Sequence, residues 1–185
     1  GRRFQGGIRS YQRFRREVLR LLGDTGATMV TTMIDFYGLP ADFPGVADLP
    51  AESDPYTRVH HLERSLLEDL GWPGRLFAYF SLHEFEALLL SSPLELNEEF
   101  RSSSSERGFE AVMPSGMGPE EVNDGPETHP SARILALVPS YRKAVHGPLI
   151  AARIGLPALR ERCPHFNHWV TALENLAAGG EGTRP

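Results

Sequence analysis

Apolar residues recur at helical spacing in three stretches of the chain and run almost unbroken in two others. Tyr11, Phe14, Val18 and Leu21 or Leu22 mark one face of a helix predicted over Tyr11–Leu22, with Ser10 as its N-cap and Gly23 as its stop. Val59, Leu62, Leu66 and Leu70 mark a second helix over about 56–70. Ser53 or Asp54 followed by Pro55 opens it, and Gly71, Pro73 and Gly74 end it. Phe166, Trp169, Val170, Leu173 and Leu176 mark a last helix over about 164–178. The two continuous runs, 28–34 and 76–81, are β-branched or aromatic in character and read as strands. Residues 28–34 contain no charge, Gly or Pro, which predicts a strand buried on both faces.

The order helix, strand, helix, strand is an α/β pattern. The two strands are expected side by side and parallel, with helix 56–70 as a right-handed crossover between them. A helix over 83–90 follows the second strand directly. Residues 91–118 then turn polar, and the serines 102–105 with the Gly/Met/Pro segment 114–119 predict a flexible loop over 101–118. Short helices are expected at 119–123 and 131–137, after which Pro139, Pro148, Pro157 and Pro164 punctuate further short helices. Residues 179–185 read as a frayed tail. The fold class is therefore α/β: a partial parallel sheet flanked by helices, with a helical C-terminal part, in one domain over 1–178.

Charge changes this picture locally rather than globally. The net charge is −5 over 185 residues, so bulk charge gives no argument for nucleic-acid binding. Yet Arg2, Arg3, Arg9, Arg13, Arg15, Arg16 and Arg20 make the first twenty residues strongly basic, mostly off the apolar stripe. A solvated helix face is the plain reading. A phosphate-tracking patch is the sharper one, because guanidinium forks match phosphate oxygens. Cys163 is the single cysteine, which excludes an internal disulfide or a cysteine-built zinc site and fits a reducing cytoplasm. No apolar run approaches the ~20 residues of a membrane span, and no signal-peptide pattern opens the chain. The first residue is Gly rather than Met, which reads as a start inside a longer protein.

Candidate chemistry gathers at the carboxyl ends of the two strands, where open α/β sheets place their ligands. Asp35 ends the first strand, and His83, Glu84 and Glu86 follow the second. Glu84 and Glu86 are two residues apart and do not share a helix face. The plain alternatives are a turn-capping role for Asp35 and the general preference of acids for helix N-termini. His60 and His61 are adjacent, so they point in different directions and make poor co-ligands for one ion. The chain has no phosphate-binding loop, dinucleotide glycine fingerprint, nucleophile elbow or His-Glu-x-x-His. Carboxylate chemistry remains, with oxygen ligands suited to Mg or Mn.

Thr31-Thr32-Met33-Ile34-Asp35-Phe36-Tyr37-Gly38-Leu39-Pro40 with Asp42-Phe43-Pro44-Gly45 resembles a bacterial family, domain of unknown function 4276. So do His83-Glu84-Phe85-Glu86-Ala87-Leu88-Leu89, Pro119-Glu120-Glu121-Val122-Asn123, Pro130-Ser131-Ala132-Arg133-Ile134 and Cys163-Pro164-His165-Phe166-Asn167-His168-Trp169. The resemblance implies a Toprim-like domain, the metal-binding α/β fold of topoisomerases, primases and related nucleases. It also implies a phage-defence or mobile-element setting with an ATPase partner and a DNA or RNA substrate. On this reading Asp35 ligates Mg or Mn. Glu84 or Glu86 completes the acidic site or acts as general base, and His83 contacts phosphate or relays a proton. Arg133, Lys143, Arg9 and Arg13 bind phosphate. Tyr37 departs from the second acid of the Toprim Asp-x-Asp pair, and Ala132 stands where the pattern has a Lys. The glutamate strand expected upstream of Gly1 is missing. Without it one edge of strand 28–34 is expected to be unpaired or paired with a second copy, which would give a homo-oligomer. A scaffold or sensor that has kept the fold and lost the chemistry is the alternative.

Overall fold

The computed structural model describes residues 7–50, 53–71, 74–101, 108–113, 116–122 and 128–180. The chain divides into two compact units, Gly1–Leu82 and His83–Pro185, where the sequence reads as one domain. Among the described residues it is a mixed α/β structure, with parallel strand pairs in the first unit and only helices and turns in the second.

In the first unit, α1 (Tyr11–Leu22) begins at Ser10 and buries Tyr11, Val18 and Leu22. Its C-terminal end is held by Arg75, whose guanidinium donates to the carbonyls of Leu22, Asp24 and Ala27 at 2.6–2.8 Å. A cation there satisfies orphan carbonyls and suits the helix dipole. In α2 (Pro55–Leu70) the Asp54 side chain accepts from the amides of Tyr56 and Thr57, and Pro55 fills the first turn. The buried residues of α2 are Val59, Leu62, Leu66 and Leu70, and Gly71 closes it with φ +64°. Between and after the helices lie β1 (Val30–Thr31), β2 (Ile34–Asp35), β3 (Leu76–Phe77) and β4 (Phe80–Ser81). Phe43 joins the helical and strand layers, edge-on to Tyr11 at 5.0 Å and to Phe80 at 5.6 Å.

β1 pairs with β3 and β2 with β4, both in parallel. The register Val30↔Leu76 continues as Ile34↔Phe80, so the two pairs are one ladder with an interruption. Amides 30, 32, 34 and 36 donate in turn to carbonyls 75, 77, 79 and 81. The return bonds fail at Thr32: the Tyr79 amide donates to its hydroxyl at 2.9 Å, in place of a backbone carbonyl. A side chain has entered the ladder and cut one predicted strand into two short ones.

The expected burial of 28–34 on both faces is corrected. Val30, Thr32, Ile34 and Phe36 are buried, whereas Thr31, Met33 and Tyr37 are exposed and Asp35 is half-buried. This is the one-sided alternation of a strand with a single covered face. The partner strand is the one enclosed throughout, from Ala78 to Leu82.

In the second unit, α3 (Glu86–Leu89), α4 (Pro93–Glu99), α5 (Pro130–Leu137), α6 (Lys143–Arg162) and α7 (Pro164–Gly180) alternate with 3-10 turns at Phe109–Val112 and Pro119–Glu121. α6 packs against α3, α4 and α7. The predicted helix from residue 83 starts later, because His83 adopts φ +66°, which no helix accommodates. The polar stretch 91–118 contains α4, and Leu96, Phe100 and Phe109 are buried within it. Asn97 ties this segment together, accepting from the Phe109 amide and donating to Glu110. The serine run and the rest of 102–107, residues 114–115 and all of the tail 179–185 beyond residue 180 lie outside the described residues, whereas residues 179 and 180, expected in the tail, end α7. Pro148 does not break α6, which instead turns at Gly155 (φ +74°), with Pro157 in the first turn beyond.

Candidate functional site

The second unit brings Glu84 and Glu86 together around one cation. Glu86 is fully buried at the start of α3; its Oε1 accepts from the Tyr141 hydroxyl at 2.9 Å and its Oε2 lies 2.7 Å from Lys143 Nζ. The same Nζ is 3.5 Å from Glu84 Oε2. Glu84 Oε1 accepts from the Ser131 amide and lies 3.0 Å from His129 Nδ1. An ionised carboxylate can only accept, so Nδ1 of His129 carries the proton. Gly147 lets α6 come this close: a Cβ there would sit 3.1 Å from Phe85 and 3.4 Å from the Tyr141 hydroxyl.

Lys143 is the only lysine in a chain with eighteen arginines. It is also the first residue of α6, where a positive charge opposes the helix dipole. A local rule broken in this way marks a position chosen for its neighbours. Here the neighbours are the two carboxylates, which would repel each other without a cation between them. The expected assignment of Lys143 to phosphate therefore meets an ammonium group already paired twice within the protein.

The two acids are driven in opposite directions. Burial is the largest influence on both and disfavours the charge. For Glu84 it is outweighed by the bonds from His129 and Ser131 and the charge of Lys143, so its carboxyl titrates below the ordinary range. For Glu86 burial prevails over Lys143 and Tyr141, and the charge of Glu84 adds to it, so its carboxyl titrates above that range. The Tyr141 hydroxyl is raised by burial and by the Glu86 charge and stays a donor.

Glu84 is at the same time a helix cap. Pro130 opens α5 without an amide, and the next amide, on Ser131, goes to Glu84. The same device recurs at α7. Pro164 opens the helix, and the amides of His165 and Phe166 both donate to the buried Glu120 carboxylate at 2.9 Å. Two pairs of distant sequence blocks are thus joined through a carboxylate and a Pro-led helix N-terminus. Cys163, just before Pro164, is fully buried, and burial and Glu120 push its thiol up, which excludes a reactive thiolate.

Asp35 belongs to the first unit, at the carboxyl end of β2, in register with Ser81. The adjoining Phe36 ring lies under the Arg58 guanidinium, 4.9 Å from its centroid, a residue not singled out by the sequence. Among the described residues Asp35 does not belong to a group of three or more close metal-ligating side chains. His83 is 2% exposed at its left-handed turn. Arg133 donates from Nε to the Thr128 carbonyl. Arg9 is exposed just before the cap of α1, and Arg13 is exposed and paired with Glu17 at 3.1 Å. Tyr141, His129 and Ser131 carried no signal in the sequence, since they meet the acids from 45 to 55 residues away.

Among the described residues no helix is long and apolar enough to cross a membrane. A family model described as a domain of unknown function, DUF4276, matches residues 2–174. No curated protein and no solved structure matches the chain.

Proposed function

We propose that this chain, which belongs to the domain-of-unknown-function family DUF4276, is a Toprim-like, Mg-dependent domain that acts on phosphodiesters, together with an ATPase partner in a phage-defence or mobile-element system. The observation that carries the reading is Asp35, a half-buried carboxylate at the carboxyl end of a parallel ladder. One carboxylate fits Mg (or Mn), which keeps several waters and takes further oxygens from substrate phosphates. In the second unit Glu86, whose carboxyl burial raises, is the group suited to hold and give up a proton, and Glu84 stays ionised.

The test is a melting series with Mg and with Mn, beside cleavage of plasmid and of RNA by the same chain. At a hundredfold excess over its Kd the metal stabilises by about 2.7 kcal/mol. For a chain of this size that is a rise of roughly 5–10 °C. Asp35→Asn should abolish both the rise and any cleavage while leaving the metal-free melting point in place. No shift at millimolar metal and no cleavage would refute the reading and favour a non-catalytic scaffold. Two observations support that second reading: Lys143 already supplies the cation between Glu84 and Glu86, and Tyr37 is not an acid.

A further inference from the structure

We infer that the outward face of α1 is a nucleic-acid backbone-binding surface, formed by Arg9, Arg13, Arg16 and Arg20. The inference deepens the proposed phosphodiester chemistry by naming the surface that holds the polymer. At about 100° per residue, Arg13, Arg16 and Arg20 fall within a sector of roughly 60°. Tyr11, Val18 and Leu22, the buried residues of α1, centre about 180° away. The arginines therefore point directly out from the core of the first unit. Arg9 extends the row by one residue beyond the cap Ser10.

Pairing separates this row from the other arginines of the helix. Arg15, on the inner flank, is tied to Asp69 at 2.8 Å, and Asp69 also takes the Tyr11 hydroxyl. Arg75 is consumed by three carbonyls. Among the described residues Arg9, Arg16 and Arg20 form no ion pair, and Arg13 holds only the exposed Glu17, with side chains 77% and 59% accessible. Such a pair contributes little and is readily exchanged for another anion. From residue 9 to residue 20 the formal charge is five arginines less one glutamate, or +4, on a chain whose net charge is −5.

The partner is identified by what the face lacks as well as by what it carries. A helix that lies on a membrane sends its apolar face into the lipid; here the apolar face of α1 is already spent in the core. Leu21 lies to one side of the row and is 49% exposed, the one exposed large apolar residue of α1. A row of forked cations with no apolar anchor fits a line of phosphates. From Arg13 to Arg20 the row spans about 10 Å along the axis. One strand of a duplex presents a phosphate about every 3.4 Å, so the row faces about three of them. Guanidinium–phosphate contacts carry no sequence information, so binding through the row is indifferent to sequence.

The test is fluorescence anisotropy with labelled duplex DNA and labelled single-stranded RNA, in EDTA, between about 50 and 200 mM salt. The wild type should bind both, with an affinity that falls steeply with salt. Arg9→Ala/Arg16→Ala/Arg20→Ala should lower the log–log salt slope on duplex by about 2.7 and cost roughly 40-fold or more at the low-salt end. Alanine suits helix interiors, so an unchanged melting point is the check on folding. The matching lysine triple should retain most of the binding, because the row acts through charge. A control triple, Arg64→Ala/Arg101→Ala/Arg162→Ala, should change the slope far less. Equal losses in the two alanine triples, or no binding by wild type, would overturn the inference. So would binding to phosphatidylserine vesicles in place of oligonucleotide. Because EDTA removes the metal, loss of the Asp35 chemistry leaves this result standing, and loss of binding leaves the metal-shift test intact.

Discussion

Glu120→Ala should be among the most damaging single substitutions in the second unit. The carboxylate is 1% exposed and takes the first two amides that α7 has to offer, both at 2.9 Å. Alanine leaves those two buried donors without an acceptor, at about 1–3 kcal/mol each. Loss of a negative charge at the helix N-terminus adds up to about 1 kcal/mol. The expected destabilisation is about 3–5 kcal/mol, or roughly 6–20 °C in melting temperature for a chain of this length. Glu120→Gln keeps one acceptor oxygen, so it should cost about half as much. Urea unfolding followed through Trp169, which lies on α7, reads this directly in a Trp72→Phe background. The midpoint should fall with the slope unchanged. An alanine variant within about 1 kcal/mol of wild type would show that α7 does not depend on this cap.

Lys143→Met should destabilise by roughly 1–3 kcal/mol near neutral pH, a figure reduced because the ammonium is half exposed. The loss should shrink on acidification. Glu86 already titrates above its unfolded value, so the folded state binds the extra proton and stability falls as pH rises through that window; without Lys143 the window widens. Glu84 gives the opposite slope. Its contribution is complete above the ordinary carboxylate pKa and is lost as pH falls through its depressed folded value, so Glu84→Gln should flatten the acid limb of a stability–pH curve. Thr32→Val should cost about 1–3 kcal/mol, because the buried Tyr79 amide loses its acceptor, and amide exchange at Tyr79 should accelerate. Gly45→Ala should cost more than the ~1 kcal/mol of a left-handed alanine, since its Cβ would lie 2.6 Å from Ser65 Oγ; Ser65→Gly should recover part of the loss.

The helices of the first unit were legible because cap, stripe and stop agree. Ser10 and Gly23 bracket α1, and Asp54-Pro55 and Gly71 bracket α2, with the buried residues of α2 falling where the spacing puts them. The parallel pairing was legible from two apolar runs separated by a helix. The sidedness of 28–34 was not, because Thr31 and Met33 on the open face are as apolar or β-branched as Thr32 and Ile34 on the closed one. Hydropathy cannot show alternation where both faces use the same residue types. At the acid cluster the sequence placed Glu84 and Glu86 together, but their partners depend on long-range contacts that local spacing does not encode. Glu120 left one usable trace: Pro164 supplies no amide, and Cys163 is a poor cap. The next amides of α7 needed an acceptor from elsewhere.

That acceptor is made well before it is needed. Glu120 precedes its partners by 45 and 46 residues. At translation speeds of about 5–20 residues per second, it waits roughly 2–9 s for the start of α7. During that interval its carboxylate lacks these two donors, so burying it in the turn Pro119–Glu121, which packs against α3, costs more than in the finished unit. The second unit should therefore complete its folding only after the start of α7 has been made. A nascent chain arrested before Pro164 should stay open to protease from His83 onward, and release of the remaining residues should protect the whole unit at once.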